Sequence, residues 1–117
     1  MKSLQWTYDD FRAYLFVYCS FADHMQVNAE REEIKKRVGD RMFYLYQHMI
    51  EKDDDDTSIY KIKTYVRNNS LPQTDVDKLL DEVQAIFLCD GEFHKLEKRQ
   101  FLSLSKLLQK LVKGSTS

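Results

Sequence analysis

Apolar residues recur along this chain at helical spacing, separated by short polar breaks. Trp6-Thr7-Tyr8-Asp9-Asp10-Phe11 reads as a helix start: Thr7 caps, Asp10 reaches back, and Trp6 is placed to staple onto Phe11. Phe11, Leu15, Tyr18 and Ala22 then follow the helical period, Tyr14 and Phe21 widen the stripe, and the helix should stop near Asp23. Asn28 is a good cap for a second helix carrying Ile34 and Val38. Glu32–Lys36 and Glu33–Arg37 form favourable i,i+4 pairs on its wet side. Gly39-Asp40 breaks this helix from a third, whose apolar face is Met42, Tyr46 and Met49, flanked by Phe43, Leu45 and Ile50. Residues 51–56 read as an acidic loop, with Asp56 or Thr57 capping a fourth helix that bears Ile59, Ile62 and Val66. Asn68-Asn69-Ser70-Leu71-Pro72 is a breaker. Thr74 then caps a helix with Val76, Leu79, Leu80, Val83 and Phe87, which should stop at Asp90-Gly91. The last helix carries Phe101, Leu104, Leu108 and Leu111 and frays from Gly114 onward. The pattern predicts an all-α, compact six-helix bundle-like domain with no strand.

Length and composition agree with that picture. At 117 residues the chain is long enough for one domain with a real core. We expect a single unit over 1–117, with the core at about 8–112 and a frayed tail at 113–117. Three glycines and one proline disfavour a turn-rich β fold. A net charge of -1 provides no field to hold nucleic acid or an anionic membrane. No apolar run approaches the roughly 20 residues that a membrane span needs, and residues 1–6 contain no signal-peptide core before Asp9 and Asp10. Cys19 and Cys89 both lie in apolar helical segments and read as buried thiols rather than a disulfide. The expected location is the cytoplasm.

One acidic signature occurs twice. Phe21-Ala22-Asp23 is followed by Glu30 and then Ile34, and Leu88-Cys89-Asp90 is followed by Glu97 and then Phe101. The copies lie 67 residues apart, each at a helix–turn–helix junction, and point to an internal pseudo-repeat. Asp23 and Asp90 end helices, where a carboxylate meets the negative end of the macrodipole and calls for compensation. That compensation comes from a free N–H of the next helix or from a cation. Glu30 and Glu97 sit in a first turn, and their i+4 neighbours are Ile34 and Phe101 rather than basic residues. Both therefore lean toward the buried edge. If the copies pack together, Asp23, Glu30, Asp90 and Glu97 converge, and such a cluster needs a cation or shared protons. An all-oxygen set suits Ca²⁺, Mg²⁺ or Mn²⁺, while His24 or His94 would shift it toward Mn²⁺ or Zn²⁺. The alternative is that each Asp caps the following helix and each Glu satisfies a first-turn N–H.

Asp-Gly, a hydrophobic residue and then Glu at plus seven, given twice in a helical domain, resembles the tellurite-resistance protein B (TerB-like) family over roughly residues 8–112. Cys89-Asp90-Gly91-Glu92-Phe93 through Glu97 is the closer copy; in the first, His24 replaces the glycine and Gln26 stands where a hydrophobic residue is usual. The acidic segment Glu51-Lys52-Asp53-Asp54-Asp55-Asp56 before a helix also looks like bacterial single-domain members. The resemblance implies an all-helical fold with an internal repeat, an acidic metal site between the repeats, and a link to bacterial stress or tellurite resistance. A similar domain occurs beside J-domain co-chaperones. The resemblance supplies no reaction.

Other candidates are weaker. Residues 53–56 fail as an EF-hand, because the positions that need Gly and Glu hold Ser58 and Thr64 or Ile59 and Tyr65. His48 reads as a packed or surface histidine. Lys98, Arg99, Lys106, Lys110 and Lys113 read as the polar face of the last helix. Tyr8, Tyr44 and Tyr60 are candidates for an exposed partner surface. No nucleophile–base pair or glycine-rich phosphate loop is present, and a metal-dependent hydrolase lacks a general base apart from the candidate ligands. The leading expectation is a non-enzymatic, divalent-cation-binding module using Asp23, Glu30, Asp90 and Glu97. The alternative is a protein-interaction domain of adaptor or co-chaperone type, in which the acidic motifs only shape turns.

Overall fold

Residues 13–21 carry no charge, and that run sets the architecture. In the computed structural model, which describes residues 6–21, 28–89 and 95–116, they form most of α1 (Tyr8–Phe21). Every residue from Ala13 to Ser20 is buried. A helix that is apolar all round belongs in the middle of a domain, and α1 packs against α2 (Asn28–Val38), α3 (Asp40–Lys52), α4 (Asp55–Asn69) and α5 (Gln73–Leu88). The sixth helix, α6 (Lys95–Thr116), closes over α4 and α5. All six elements among the described residues are helices. α1 and α5 end at Phe21 and Leu88, and α2 and α6 begin at Asn28 and Lys95. Both pairs of boundaries are offset by 67 residues, the offset of the acidic signature.

Local chemistry explains the boundaries. Thr7 and Asp10 form the expected reciprocal cap: the Thr7 amide donates to Asp10 Oδ2 at 2.9 Å and the Asp10 amide donates to Thr7 Oγ1 at 3.1 Å. The Trp6 ring packs further along than expected, 4.8 Å from Tyr14 and 5.6 Å from Tyr46 between centroids. Gly39, with φ 92° and ψ 154°, separates α2 from α3 in a conformation open to glycine alone. At the other end of α3, the expected acidic loop is short. α3 runs to Lys52 and α4 starts at Asp55, because Asp54 rather than Asp56 or Thr57 supplies the cap, accepting from the Thr57 amide at 2.7 Å. Ser70, with φ 47°, ends α4. Pro72 rather than Thr74 stands at the α5 N-cap, and α6 continues to Thr116, past the expected fray at Gly114.

The predicted face of α5 is buried throughout, and those of α4 and α6 are buried except at Ile59 and Phe101, which are only partly buried. Ile62 and Val66, then Val76, Leu79, Leu80, Val83 and Phe87, then Leu104, Leu108 and Leu111 are all buried in one core. Cys19 is buried as expected, whereas Cys89 is exposed.

Candidate interaction surface

The acidic signature falls only partly within the described residues. Asp23, His24, Asp90 and His94 lie outside them. Glu97 sits in the first turn of α6, but its side chain is also outside the described set. Glu30 is described and is 1% exposed, as its spacing from the fully buried Ile34 implied. It lies near α1: burial pushes the Cys19 thiol well up from its ordinary pKa, and the Glu30 charge pushes it further. The expectation of a divalent-cation module is corrected. Among the described residues, no group of three or more His, Cys, Asp or Glu side chains is placed to hold a metal ion. The part-buried carboxylates instead face arginine, lysine and tyrosine, and tie helices together.

Three carboxylates, two of them part-buried, accept hydrogen bonds from the hydroxyls of buried tyrosines. Tyr46 donates to Asp10 Oδ1 at 2.8 Å, Tyr14 to Asp53 Oδ2 at 2.8 Å, and Tyr18 to Asp55 Oδ1 at 2.7 Å. The last two join α1 to the α3–α4 junction. Asp53 also accepts from Lys61 Nζ at 2.7 Å, and its side chain is 13% exposed, so it is a part-buried tie rather than a solvated loop residue. Burial, and then Asp53, push the Tyr14 phenol pKa up against the opposing effect of Ser58, whose Oγ lies 3.0 Å away. Burial and the bond to Asp10 raise Tyr46 in the same way. Burial alone would raise Asp10, but the Thr7 amide, the Tyr46 hydroxyl, the Thr7 hydroxyl and the Arg41 charge together hold it below the usual carboxylate range.

A further tie joins α1, α2 and α5. Arg12 Nε lies 3.2 Å from Glu82 Oε1, and its second nitrogen pairs with Oε2 at 2.5 Å. Arg37 reaches the same Oε2 at 3.2 Å while its Nε holds Glu33 at 2.9 Å. The bond to Glu82 raises the Arg12 guanidinium above its ordinary pKa despite burial. The expected Glu33–Arg37 pair is therefore present but part-buried, whereas Glu32 pairs with Lys35 at 3.3 Å rather than with Lys36.

Two surface features remain. On α3, Arg41, Tyr44, Leu45, His48 and Lys52 share the outward side, while Phe43, Tyr46 and Ile50 face the core. Tyr44 and Leu45 are adjacent and about half exposed, at 50% and 49%. Lys35 of α2 donates to the Tyr44 hydroxyl oxygen at 2.8 Å and lies 4.8 Å from its ring centroid. That bond, outweighing desolvation, raises the Lys35 ammonium above its ordinary pKa. The Tyr44 ring also stands edge-on to Phe43, with centroids 5.2 Å apart. The second feature is a cleft of about 280 Å³ at the α3–α4 junction. Tyr18, Phe21 and Ile50 form its apolar surface, and Glu51, Asp53, Asp54 and Asp55 contribute the carboxylates, with Ser58 between them.

The resulting class is an all-helical domain in which no described helix is long and apolar enough to cross a membrane. No protein-family model matches the chain, and neither a curated protein nor a solved structure does. The tellurite-resistance and stress-response role implied by the TerB-like resemblance gains no support from those comparisons, and among the described residues no side chains are grouped to hold the metal it implies.

Proposed function

We propose that this chain is a non-enzymatic, cytoplasmic protein-interaction domain of adaptor type, whose acidic motifs shape helix junctions. The observation that carries the reading is the state of Tyr44. Its ring is half exposed, yet Lys35 holds it through a hydrogen bond and a cation–π contact, and Phe43 supports it from the core side. A tyrosine ordered before binding loses little conformational freedom when a partner covers it, and tyrosine is among the residues enriched at the energetic centres of interfaces. Its hydroxyl oxygen accepts from Lys35, so its own proton is available to a partner. Leu45 beside it adds apolar area.

The test compares affinity-purified wild type with a Tyr44→Ser/Leu45→Ser variant, with the captured proteins quantified by mass spectrometry. Each site is half exposed and Tyr44 has local contacts, so the variant should lose about 1–2 kcal/mol and remain folded. A reproducible set of partners lost in the variant is the expected result. Identical capture by both proteins contradicts the reading.

A further inference from the structure

We propose that the cleft between the end of α3 and the start of α4 receives an arginine side chain from a basic segment of a protein partner. The inference rests on the interaction reading above and names the chemistry of the segment. The cleft has an apolar base, where Tyr18 and Ile50 are each 6% exposed and Phe21 is partly buried. Its volume, about 280 Å³, falls just below the roughly 300–1,000 Å³ of cofactor and drug-sized pockets and suits one long side chain with its neighbours.

Charge complementarity selects the occupant. Asp53 at the back of the cleft is matched by Lys61. Glu51, Asp54 and Asp55 form no ion pair with a basic side chain among the described residues. Lys52 adjoins them in sequence and is exposed, so the junction keeps an excess of negative charge within a chain whose net charge is only -1. Two of the three carboxylates are already oriented. Asp55 Oδ1 accepts from the buried Tyr18, and Asp54 Oδ1 accepts from the Thr57 amide. Each carboxylate also has a second oxygen able to accept from a ligand. Hydrogen bonding from Thr57 also holds the Asp54 carboxyl below its ordinary pKa, so it stays charged.

The apolar, aromatic base favours guanidinium over a hard cation. Guanidinium is planar and weakly hydrated, lies readily against aromatic rings, and donates in a fork that matches carboxylates. Its three-carbon stem gains from the apolar surface beneath.

The test is ¹H–¹⁵N NMR titration with the blocked tripeptide acetyl-Leu-Arg-Leu-amide, alongside its citrulline and lysine counterparts. Saturable shifts at the amides of Phe21 and residues 50–58, with a dissociation constant in the millimolar range, are expected for arginine. The citrulline peptide should bind at least tenfold more weakly, and lysine should lie between the two. Glu51→Gln alone should weaken binding severalfold, and Glu51→Gln/Asp55→Asn should abolish it; asparagine retains an acceptor for Tyr18, and unchanged shifts in α5 confirm the fold. Absence of saturable shifts, equal binding of the citrulline peptide, or full binding by the double variant overturns the proposal. MgCl₂ and CaCl₂ at matched ionic strength are titrated in parallel, and saturable shifts of the same amides with metal alone overturn it in favour of a cation site. Capture through Tyr44 and Leu45 is read separately, so capture without arginine binding removes the cleft and leaves the interaction reading standing.

Discussion

Asp10 illustrates how much one side chain does here. One oxygen closes the Thr7 cap and the other accepts a hydrogen bond from the Tyr46 hydroxyl, so α1 is started and tied to α3 by a single carboxylate. Asparagine has one acceptor oxygen and no charge, so Asp10→Asn should lose about 1–2 kcal/mol at pH 7 by chemical unfolding. The folded carboxyl is held below its ordinary pKa. Its contribution is therefore complete above the unfolded value of about 3.9 and fades as pH falls through the folded one. The gap between wild type and variant should narrow when the measurement is repeated at pH 3; a constant gap would place the effect elsewhere. The two cysteines make a second contrast at this scale. Cys19 is buried, with its thiol pushed up by burial and Glu30, while Cys89 is exposed. A thiol reagent at pH 8 should modify one cysteine in the native protein and the second only after denaturation, and rapid modification of both would contradict the packing of α1. The Thr7–Asp10 cap was legible because its partners are three residues apart. Glu30's burial was legible from the apolar i+4 neighbour. The bonds from Tyr14 and Tyr18 to Asp53 and Asp55 were not, since they span 39 and 37 residues and a run of aspartates is usually solvated.

The helices themselves were legible wherever apolar spacing was regular, as in α5 and α6. The apolar spacing of α1 predicts a striped helix, but the charge-free residues 13–21 are the signal that it is buried on all sides. The α3–α4 break moved because four adjacent aspartates offer equally good caps in sequence, while Asp53 is tied to Tyr14 and Lys61 and Asp55 to Tyr18, and Asp54 is the one that caps. Gly39 sets the angle between α2 and α3, and with them the meeting of Lys35 and Tyr44. A Cβ at Gly39 would meet nothing within 4 Å, so Gly39→Ala is disfavoured by backbone conformation alone. The expected loss is about 1–3 kcal/mol in chemical denaturation, and an unchanged midpoint would contradict the φ of 92°. Glu82 plays the corresponding role between α5 and α1–α2. Glu82→Gln leaves Arg12 and Arg37, with side chains 18% and 27% exposed, without their shared counter-charge. A loss of about 2–3 kcal/mol is expected, below the 3–5 kcal/mol for fully buried pairs because some solvent reaches these groups. Addition of Arg12→Met should then cost less than it does in wild type, and strict additivity of the two changes would argue against the tie.

For the whole molecule, the helices gather around α1 with a radius of gyration of 13.5 Å, near the roughly 13 Å of a single domain of about 100 residues. The acidic motif that stood out in the sequence does not lead to a metal among the described residues. A charge pattern reports where carboxylates occur along the chain and not what lies opposite them; opposite Asp10, Asp53, Asp55 and Glu82, which lie outside that motif, stand arginine, lysine and buried phenols. Of the three tyrosines with candidate surface roles, Tyr44 and Tyr60 are half exposed, while Tyr8 packs against the core. What singles out Tyr44 is Lys35, nine residues earlier on a different helix and reachable only because of the Gly39 turn. The most direct measurement of the central claim is photo-crosslinking of the intact chain in cells with a benzophenone side chain placed at Leu45, and at the exposed Arg67 of α4 as the control. Discrete adducts from position 45 that are absent from position 67, and that disappear when Tyr44→Ser is added, are the predicted result. Indistinguishable adduct patterns from the two positions would contradict an interaction surface on α3.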